Sequence, residues 1–429
     1  MALGFKFVAA APTPTWGSFG EWWKHRNDWG NEVPLRPAGL NVQVGPRPYY
    51  LVDNMDEGPL KERLESCKEG PFSTSSFSVS HRGAALMFPE HSKEGYEAAI
   101  RMGAGIIECD VSFTSDRELV CRHSNCDLHY TTDILAHPEL AAKCSEPFVP
   151  YNNVTGEEAS AKCCTSDITL AEFKSLCAEM EATTMSAVNV TDGTNRGRTG
   201  TTPDWRTNMY SYQCAETMSL KEQIALVDGY GLNFTAEAKV PEIELPFQGN
   251  YTQRDFAQQV VDTFKDANID PSRVWLQSFT PEDIFQWIEN DPEFGEQAVY
   301  LDERADLTTE GYENAVASLP DLAARGVKII APSIWQLITA NNETQKIVPS
   351  SYAIAAREAG LDIITWSFER SGPLEEGGGY YFSGVNHLIN NDGDEFTVMD
   401  VIARQVKAIK IFSDWPGTAT YYANCFGLA

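Results

Sequence analysis

Positive charge is scarce in this sequence: 33 Lys and Arg residues stand against 61 Asp and Glu, for a formal net charge of −28. A field of that sign repels nucleic acid and anionic membrane surfaces, so neither is an expected partner. An anionic substrate would need local positive charge, from a metal ion or a few placed Arg and Lys side chains. Long apolar runs are missing too. No segment holds the roughly eighteen uninterrupted apolar residues of a membrane span, so stable membrane insertion is not expected. The N-terminal "MALGFKFVAAAPTPTW" reads as the remnant of a signal peptide or as an artificial start, and it is too short to cross a bilayer. Paired CxxC spacings are absent from the ten cysteines, and Cys163 and Cys164 are adjacent, which suits disulfides better than a zinc knuckle.

What is present is enough apolar material for a sizeable core, with 42% hydrophobic and 11% aromatic residues. The cysteines, taken with five N-x-S/T sequons at Asn153, Asn189, Asn233, Asn250 and Asn342, favour an oxidising, secreted environment and a glycoprotein. Cys121 and Cys126 are close enough for a small loop, although spacing alone does not fix the pairing.

At 429 residues the chain exceeds an average domain, yet α/β barrels of about 250 residues fold as single units and tolerate insertions. Residues 1–75, rich in Trp, Pro and Gly, read as an irregular arm lying on the main domain, with one short helical candidate at "GPLKERLESC". From residue 76 to 429, apolar runs alternate with amphipathic stretches, the pattern of βα units. Nine runs read as strands: 77–83, 105–111, 118–123, 232–239, 273–279, 297–301, 327–332, 361–368 and 409–414. Parallel neighbours need a crossover of about a dozen residues, and only "SFTSDR" separates the second run from the third. The third run is therefore expected to fold back as a hairpin, which leaves eight strands for a (β/α)8 TIM barrel. Helices are expected at "SKEGYEAAIRMG", "TQRDFAQQVVDTFKDA", "TPEDIFQWIEN", "SSYAIAAREAG" and "DVIARQVKAIK". The connection from about 124 to 225, with six cysteines, is expected to be a disulfide-stapled insertion after strand 2, placed over or beside the functional face.

Functional groups of such barrels gather at the C-terminal strand ends. His81 ends the first run, Glu108 and Asp110 end the second, and Glu237 ends the fourth. With a period of two, Glu108 and Asp110 share a face while Cys109 points the other way. The hairpin brings His123 back to the same place. Three converging carboxylates demand a compensating cation or protons, and an all-oxygen set suits Mg²⁺ or Ca²⁺. The two imidazoles remain for proton transfer. A metal, an acid and a base are the equipment of a phosphodiesterase. His25, His91, His129, His137 and His387 lack such a constellation and are expected to be solvated or structural.

The motifs "HRG", "PEHS", "GIIECDVSFTSDRELVCRH", "EAK", "WLQSF", "GLDIITW" and "IFSDWP" run in order from about 77 to 416, interrupted by the insertion. In order and approximate spacing they resemble the glycerophosphodiester phosphodiesterase family. That resemblance implies a barrel related to phosphatidylinositol-specific phospholipases C, one divalent cation (Ca²⁺ or Mg²⁺), and release of glycerol 3-phosphate from a small-molecule glycerophosphodiester such as glycerophosphocholine. It implies His81 and His123 as general acid and base, and Glu108, Asp110 and Glu237 as metal ligands. It places Arg82 and Lys239 at the phosphate, where neutralising the carboxylates is an equal alternative. Phe279 and Trp366 would face the glycerol carbons, with Trp366 equally suited to barrel packing. "PEHS" stands where the family has PENT, and His123-Ser124 stands where it has HD, so a carboxylate near the site is missing. Two other readings stay open: a phospholipase D-like enzyme acting on lysophospholipids or sphingolipids, and a catalytically silent extracellular binding barrel.

Overall fold

The structure is a computed structural model that describes residues 40–428 except 183, 191–201, 204, 208, 211–213, 306 and 307. Most of the expected N-terminal arm, residues 1–39 with His25, lies outside the described residues.

Eight parallel strands form the centre: β1 (Ser75–Ser80), β2 (Ala104–Phe113), β3 (Asn233–Ala238), β4 (Val274–Ser278), β5 (Val299–Asp302), β6 (Ile329–Pro332), β7 (Asp362–Phe368) and β8 (Lys410–Ser413). Each pairs with the next, and β1 pairs with both β2 and β8, so the sheet closes into a barrel. All eight expected strands form. Their apolar, β-branched runs are buried on both faces, as strands between a helical shell and a filled interior must be. Val79, Ile106, Val299, Leu301, Ile329, Ala331, Ile364 and Phe412 fill that interior. β1 and β2 approach closely at Gly105, where a Cβ would come 2.5 Å from the Ser75 carbonyl oxygen.

A helix follows each strand: α1 (Lys93–Arg101), α2 (Leu220–Gly229), α3 (Gln253–Asp266), α4 (Pro281–Asn290), α5 (Thr309–Ala324), α6 (Ser351–Glu358), α7 (Asp394–Asp400) and α8 (Pro416–Phe426). Ser219 with Glu222 and Thr252 with Asp255 form capping boxes that satisfy the free amides starting α2 and α3. One expectation shifts. The helix read at "DVIARQVKAIK" begins earlier, at Asp394, because Phe396, Val398 and Met399 already face the core. A π-helical turn over Val401–Val406 follows, and Lys407, at φ 63°, ends it ahead of β8.

The third run forms a short return strand, Leu119–Cys121, antiparallel to β2 with Val111 opposite Cys121. A Cys109–Cys121 disulfide fastens the two. The possible Cys121–Cys126 loop is therefore not made, and Cys126 joins Cys164 instead. Cys144–Cys163 and Cys177–Cys214 complete the stapling of the insertion. It has a small core of its own, including Leu128, Ile134, Ile168 and Phe173. The barrel resumes at Leu220, the first residue of α2, a few residues before the expected limit near 225.

Residues 40–75 contain the helix Pro59–Glu65, inside the expected "GPLKERLESC", and a second helix, Arg47–Asn54. Both contribute to the main core through Leu51, Val52 and Leu64. Tyr421 of α8 donates to the Leu64 carbonyl at 2.6 Å, and Cys67–Cys425 joins the segment covalently to the same helix. Replacing Cys67 and Cys425 together with Ser opens a link spanning 358 residues. The expected result is a lower urea midpoint, worth about 2–5 kcal/mol; an unchanged midpoint would show that side-chain contacts alone hold this segment.

Candidate active site

At the C-terminal end of the barrel a cleft of about 460 Å³ is lined by His81, Arg82, Glu108, Asp110, His123, Glu237, Lys239, Phe279 and Trp366 among others. The structure thus brings all nine sequence-nominated residues to one cavity. β2 and β3 run in register with Asp110 beside Glu237, which sets these carboxylates next to each other. The return strand is held by the Arg122 amide, which donates to the Asp110 carbonyl at 2.8 Å, and the next residue is His123.

Glu108, Asp110 and Glu237 offer carboxylate oxygens that all lie within 4.8 Å of one another. Burial pushes Glu108 well up, and the Asp110 charge adds to it. Burial likewise lifts Glu237 to about 8, with Lys239 opposing and Asp110 reinforcing. Asp110 goes the other way: burial would raise it, but the Lys239 charge and a 2.9 Å hydrogen bond from His91 Nε2 hold it well below the usual carboxylate range. Three such groups hold their charge together only beside a cation. Asp110 Oδ1, buried, has no hydrogen-bond donor among the described residues. An all-oxygen set with an unpartnered buried oxygen fits a hard divalent ion.

Arg82, in a left-handed conformation at φ 57°, ties the cluster together. Its amide donates to Glu108 at 2.8 Å, and its guanidinium meets Glu90 at 3.0 Å and Asp110 at 3.3 Å. Lys239 Nζ lies 2.7 Å from Glu237 and 5.7 Å from the Phe279 ring centre. Phe279 and Trp366 meet edge-to-face at 5.9 Å, and the Trp366 indole donates to the Ala331 carbonyl at 2.8 Å, which fixes its plane.

His81 Nδ1 is 2.6 Å from Asp414 Oδ1, with the Ser367 hydroxyl 2.9 Å away. Burial, aided by Arg82 and opposed by Asp414, lowers this imidazole to about 4. Burial lowers His123 well below its ordinary value, with Arg82 and Lys239 contributing. The His81 ring is neutral at physiological pH.

Several supporting groups escaped sequence reasoning. Asp414 lies inside the quoted "IFSDWP", just past β8, and its place at a strand end was the available signal. Gln277 donates to Glu108 at 2.9 Å, and its signal was an amide alternating into an apolar strand. "PEHS", standing where the family has PENT, supplies both Glu90 and the buried His91. Tyr381 lines the cleft from the long loop after β7, where nothing in the pattern marked it. At the HD departure, Ser124 sits among other carboxylates: its amide donates to Asp127 at 3.1 Å and its hydroxyl bonds Glu242. Of the remaining histidines set aside, His137 pairs with Asp133 and His129 lines a small cavity in the insertion.

The profile of the glycerophosphoryl diester phosphodiesterase family matches residues 81–370. The chain belongs to that family. An extracellular protein of Arthroderma benhamiae is 44% identical over 230 residues, 53% of this chain and 93% of that protein. The glycerophosphodiester phosphodiesterase GDPD6 of Arabidopsis thaliana is 34% identical over 148 residues, 34% of this chain and 36% of that protein. A Silicibacter pomeroyi DSS-3 structure assigned to glycerophosphoryl diester phosphodiesterases superposes with a TM-score of 0.52 at 16% identity, over 82% of this chain and 94% of that one, a likeness of fold alone. As a member of the glycerophosphoryl diester phosphodiesterase family, the chain is a phosphoric diester hydrolase.

A neutral buried His81 has a consequence for stability. The unfolded chain binds a proton near pH 6.5 that the folded site refuses until about 4, so this contribution is complete above 6.5 and is lost as pH falls toward 4. The gap corresponds to about 3 kcal/mol. Urea unfolding of wild type and of His81→Asn, whose amide can still donate to Asp414, is expected to show a steeper acid-side loss in the wild type; parallel curves would contradict the assignment.

Proposed function

We propose that this phosphodiesterase hydrolyses glycerophosphodiesters such as glycerophosphocholine to glycerol 3-phosphate and a free alcohol, by His81/His123 acid-base catalysis. The observation that supports this most directly is the convergence of the carboxylate trio, two imidazoles and two cationic side chains on one cleft. Glu108, Asp110 and Glu237 are the residues that would hold a single Ca²⁺ or Mg²⁺, and such an ion, when bound, neutralises charge and polarises a phosphoryl oxygen. Arg82 and Lys239 bind the anionic oxygens of the diester. Phe279 and Trp366 provide the apolar wall for the glycerol carbons.

Asp414 accepts the Nδ1 proton of His81, which leaves Nε2 as the basic nitrogen. His81 takes the proton of the attacking hydroxyl, from water or from the glycerol 2-position. His123, protonated when the anionic diester is bound beside it, delivers that proton to the departing alcohol oxygen and is reprotonated from solvent after product release. With water as nucleophile the diester goes directly to monoester and alcohol; with the 2-hydroxyl a cyclic phosphate forms first and is then opened by water.

Phosphorus NMR of glycerophosphocholine with the purified protein is expected to show glycerol 3-phosphate, lost on chelation and restored by Ca²⁺ or Mg²⁺. His123→Ala should lose about 10³-fold on this substrate. It should lose far less on a p-nitrophenyl phosphodiester, whose leaving group needs no proton, while His81→Ala loses both. Near-normal turnover of glycerophosphocholine by His123→Ala would sink the assignment.

We also propose that the protein is secreted and glycosylated. No cysteine among the described residues is free, and no helix among them is long and apolar enough to cross a membrane. Asn153, Asn250 and Asn342 are exposed. Asn233 begins β3, and its sequon Thr235 is buried with its hydroxyl donated to the Trp275 carbonyl at 2.8 Å. Peptide mass spectrometry of protein secreted by a eukaryotic host should find glycans on the first three and none on Asn233; a glycan on Asn233, or bare asparagines at the other three, would contradict this.

A further inference from the structure

A buried arginine of the insertion packs on the loop between β1 and α1. Arg206 is 9% exposed, and its guanidinium donates twice to the Ala85 carbonyl, at 3.0 and 2.5 Å, and once to Glu181 at 2.7 Å. The same group lies 4.0 Å from Glu90. Ala85 and Glu90 both belong to the loop between β1 and α1, the loop that opens with His81 and Arg82. Glu181 and Arg206 both lie within the stretch closed by Cys177–Cys214, so this contact is made by a covalently restrained piece of chain.

Glu90 is the junction. Arg82 meets one of its oxygens at 3.0 Å, and Arg370 donates to the other. Arg370 Nε in turn lies 3.0 Å from Asp414, the partner of His81. Glu90 and Asp414 are buried, as are Arg206 and His81. A buried carboxylate facing three guanidinium groups keeps its place only while the charges around it stay balanced, and removing one member of such a set leaves the others uncompensated.

We propose that Arg206, seated by Glu181, is a positioning residue of the phosphodiesterase site: it clamps the β1–α1 loop and sets Glu90, and through Glu90 it holds Arg82 at the phosphate and Arg370 against Asp414. The insertion is then a working part of the reaction and not only a cover beside it. This rests on the roles given above to His81 and Arg82. It also gives Glu181 and Arg206, which no motif singled out, a place beside the loop that carries His81 and Arg82.

The test is steady-state kinetics of Arg206→Ala and Arg206→Lys on glycerophosphocholine with Ca²⁺ or Mg²⁺ present, alongside His81→Ala and thermal melts of each protein. A merely structural role lowers the amount of folded enzyme and so lowers apparent kcat, leaving KM untouched. Displacement of Arg82 weakens phosphate binding, so the expected result is a KM raised about tenfold in Arg206→Ala, with a lower kcat per folded molecule. Arg206→Lys keeps the charge but loses the forked donation to Ala85, and its KM should fall between the two. If Arg206→Ala does not fold, the lysine variant decides alone: a raised KM at wild-type melting temperature supports the proposal, and a wild-type KM overturns it. Wild-type KM and kcat in both variants, or losses confined to folded amount, also overturn it while the site stands. Full activity of His81→Ala would instead remove the reading of the site itself.

Discussion

Three carboxylates are buried at the C-terminal mouth of the barrel, within 4.8 Å of one another, and the surrounding architecture answers that crowding. Like charges at such distances in a water-poor site cannot coexist without compensation. The compensation comes from every side. Arg82 touches Glu108 through its amide and Asp110 through its guanidinium, Lys239 sits on Glu237, and His91 donates to Asp110. Those cations then need carboxylates of their own, which is the place of Glu90 and Asp414. The site is thus a layered charge lattice in which carboxylates and cations alternate outward from the trio, in a chain whose net charge is −28.

Much of this lattice was legible from residue pattern. Acidic residues interrupting the apolar run "GIIECDV" stood out because a buried strand otherwise carries none, and period-two alternation put Glu108 and Asp110 on one face. The eight strands were legible for the same reason: parallel barrel strands are apolar on both faces, and the gap after "GIIECDVSF" was too short for a crossover. The hairpin strand and its delivery of His123 followed from that length argument.

What was not legible depended on contacts between distant segments. Glu90 and His91 lie in a loop, and their importance comes from Arg82, Arg370 and Asp110, which no local pattern connects to them. Tyr381 and Arg370 come from the loop after β7, and Arg206 from an insertion with its own core and disulfides. The early start of α7 was missed because its apolar stripe is offset from the more regular-looking "DVIARQVKAIK", in which Val401–Val406 are π-helical and a left-handed Lys407 ends the helix. The disulfides were expected as a class, but pairing is a property of folded geometry: Cys109 meets Cys121 only because the return strand lies in register against β2.

The closure of the sheet imposes an order of events during synthesis. β1 must pair with β8, and Ser78 of the first strand has its partner Ile411 more than three hundred residues later. While the ribosome is still making the intervening chain, one flank of β1 has nothing to hydrogen-bond, and the helix that bears Cys425 does not yet exist to meet Cys67. The insertion can oxidise and condense by then, since its three disulfides join cysteines at most 38 residues apart. Until β8 is made the sheet is unclosed, and the last strand is the one that makes the barrel a barrel.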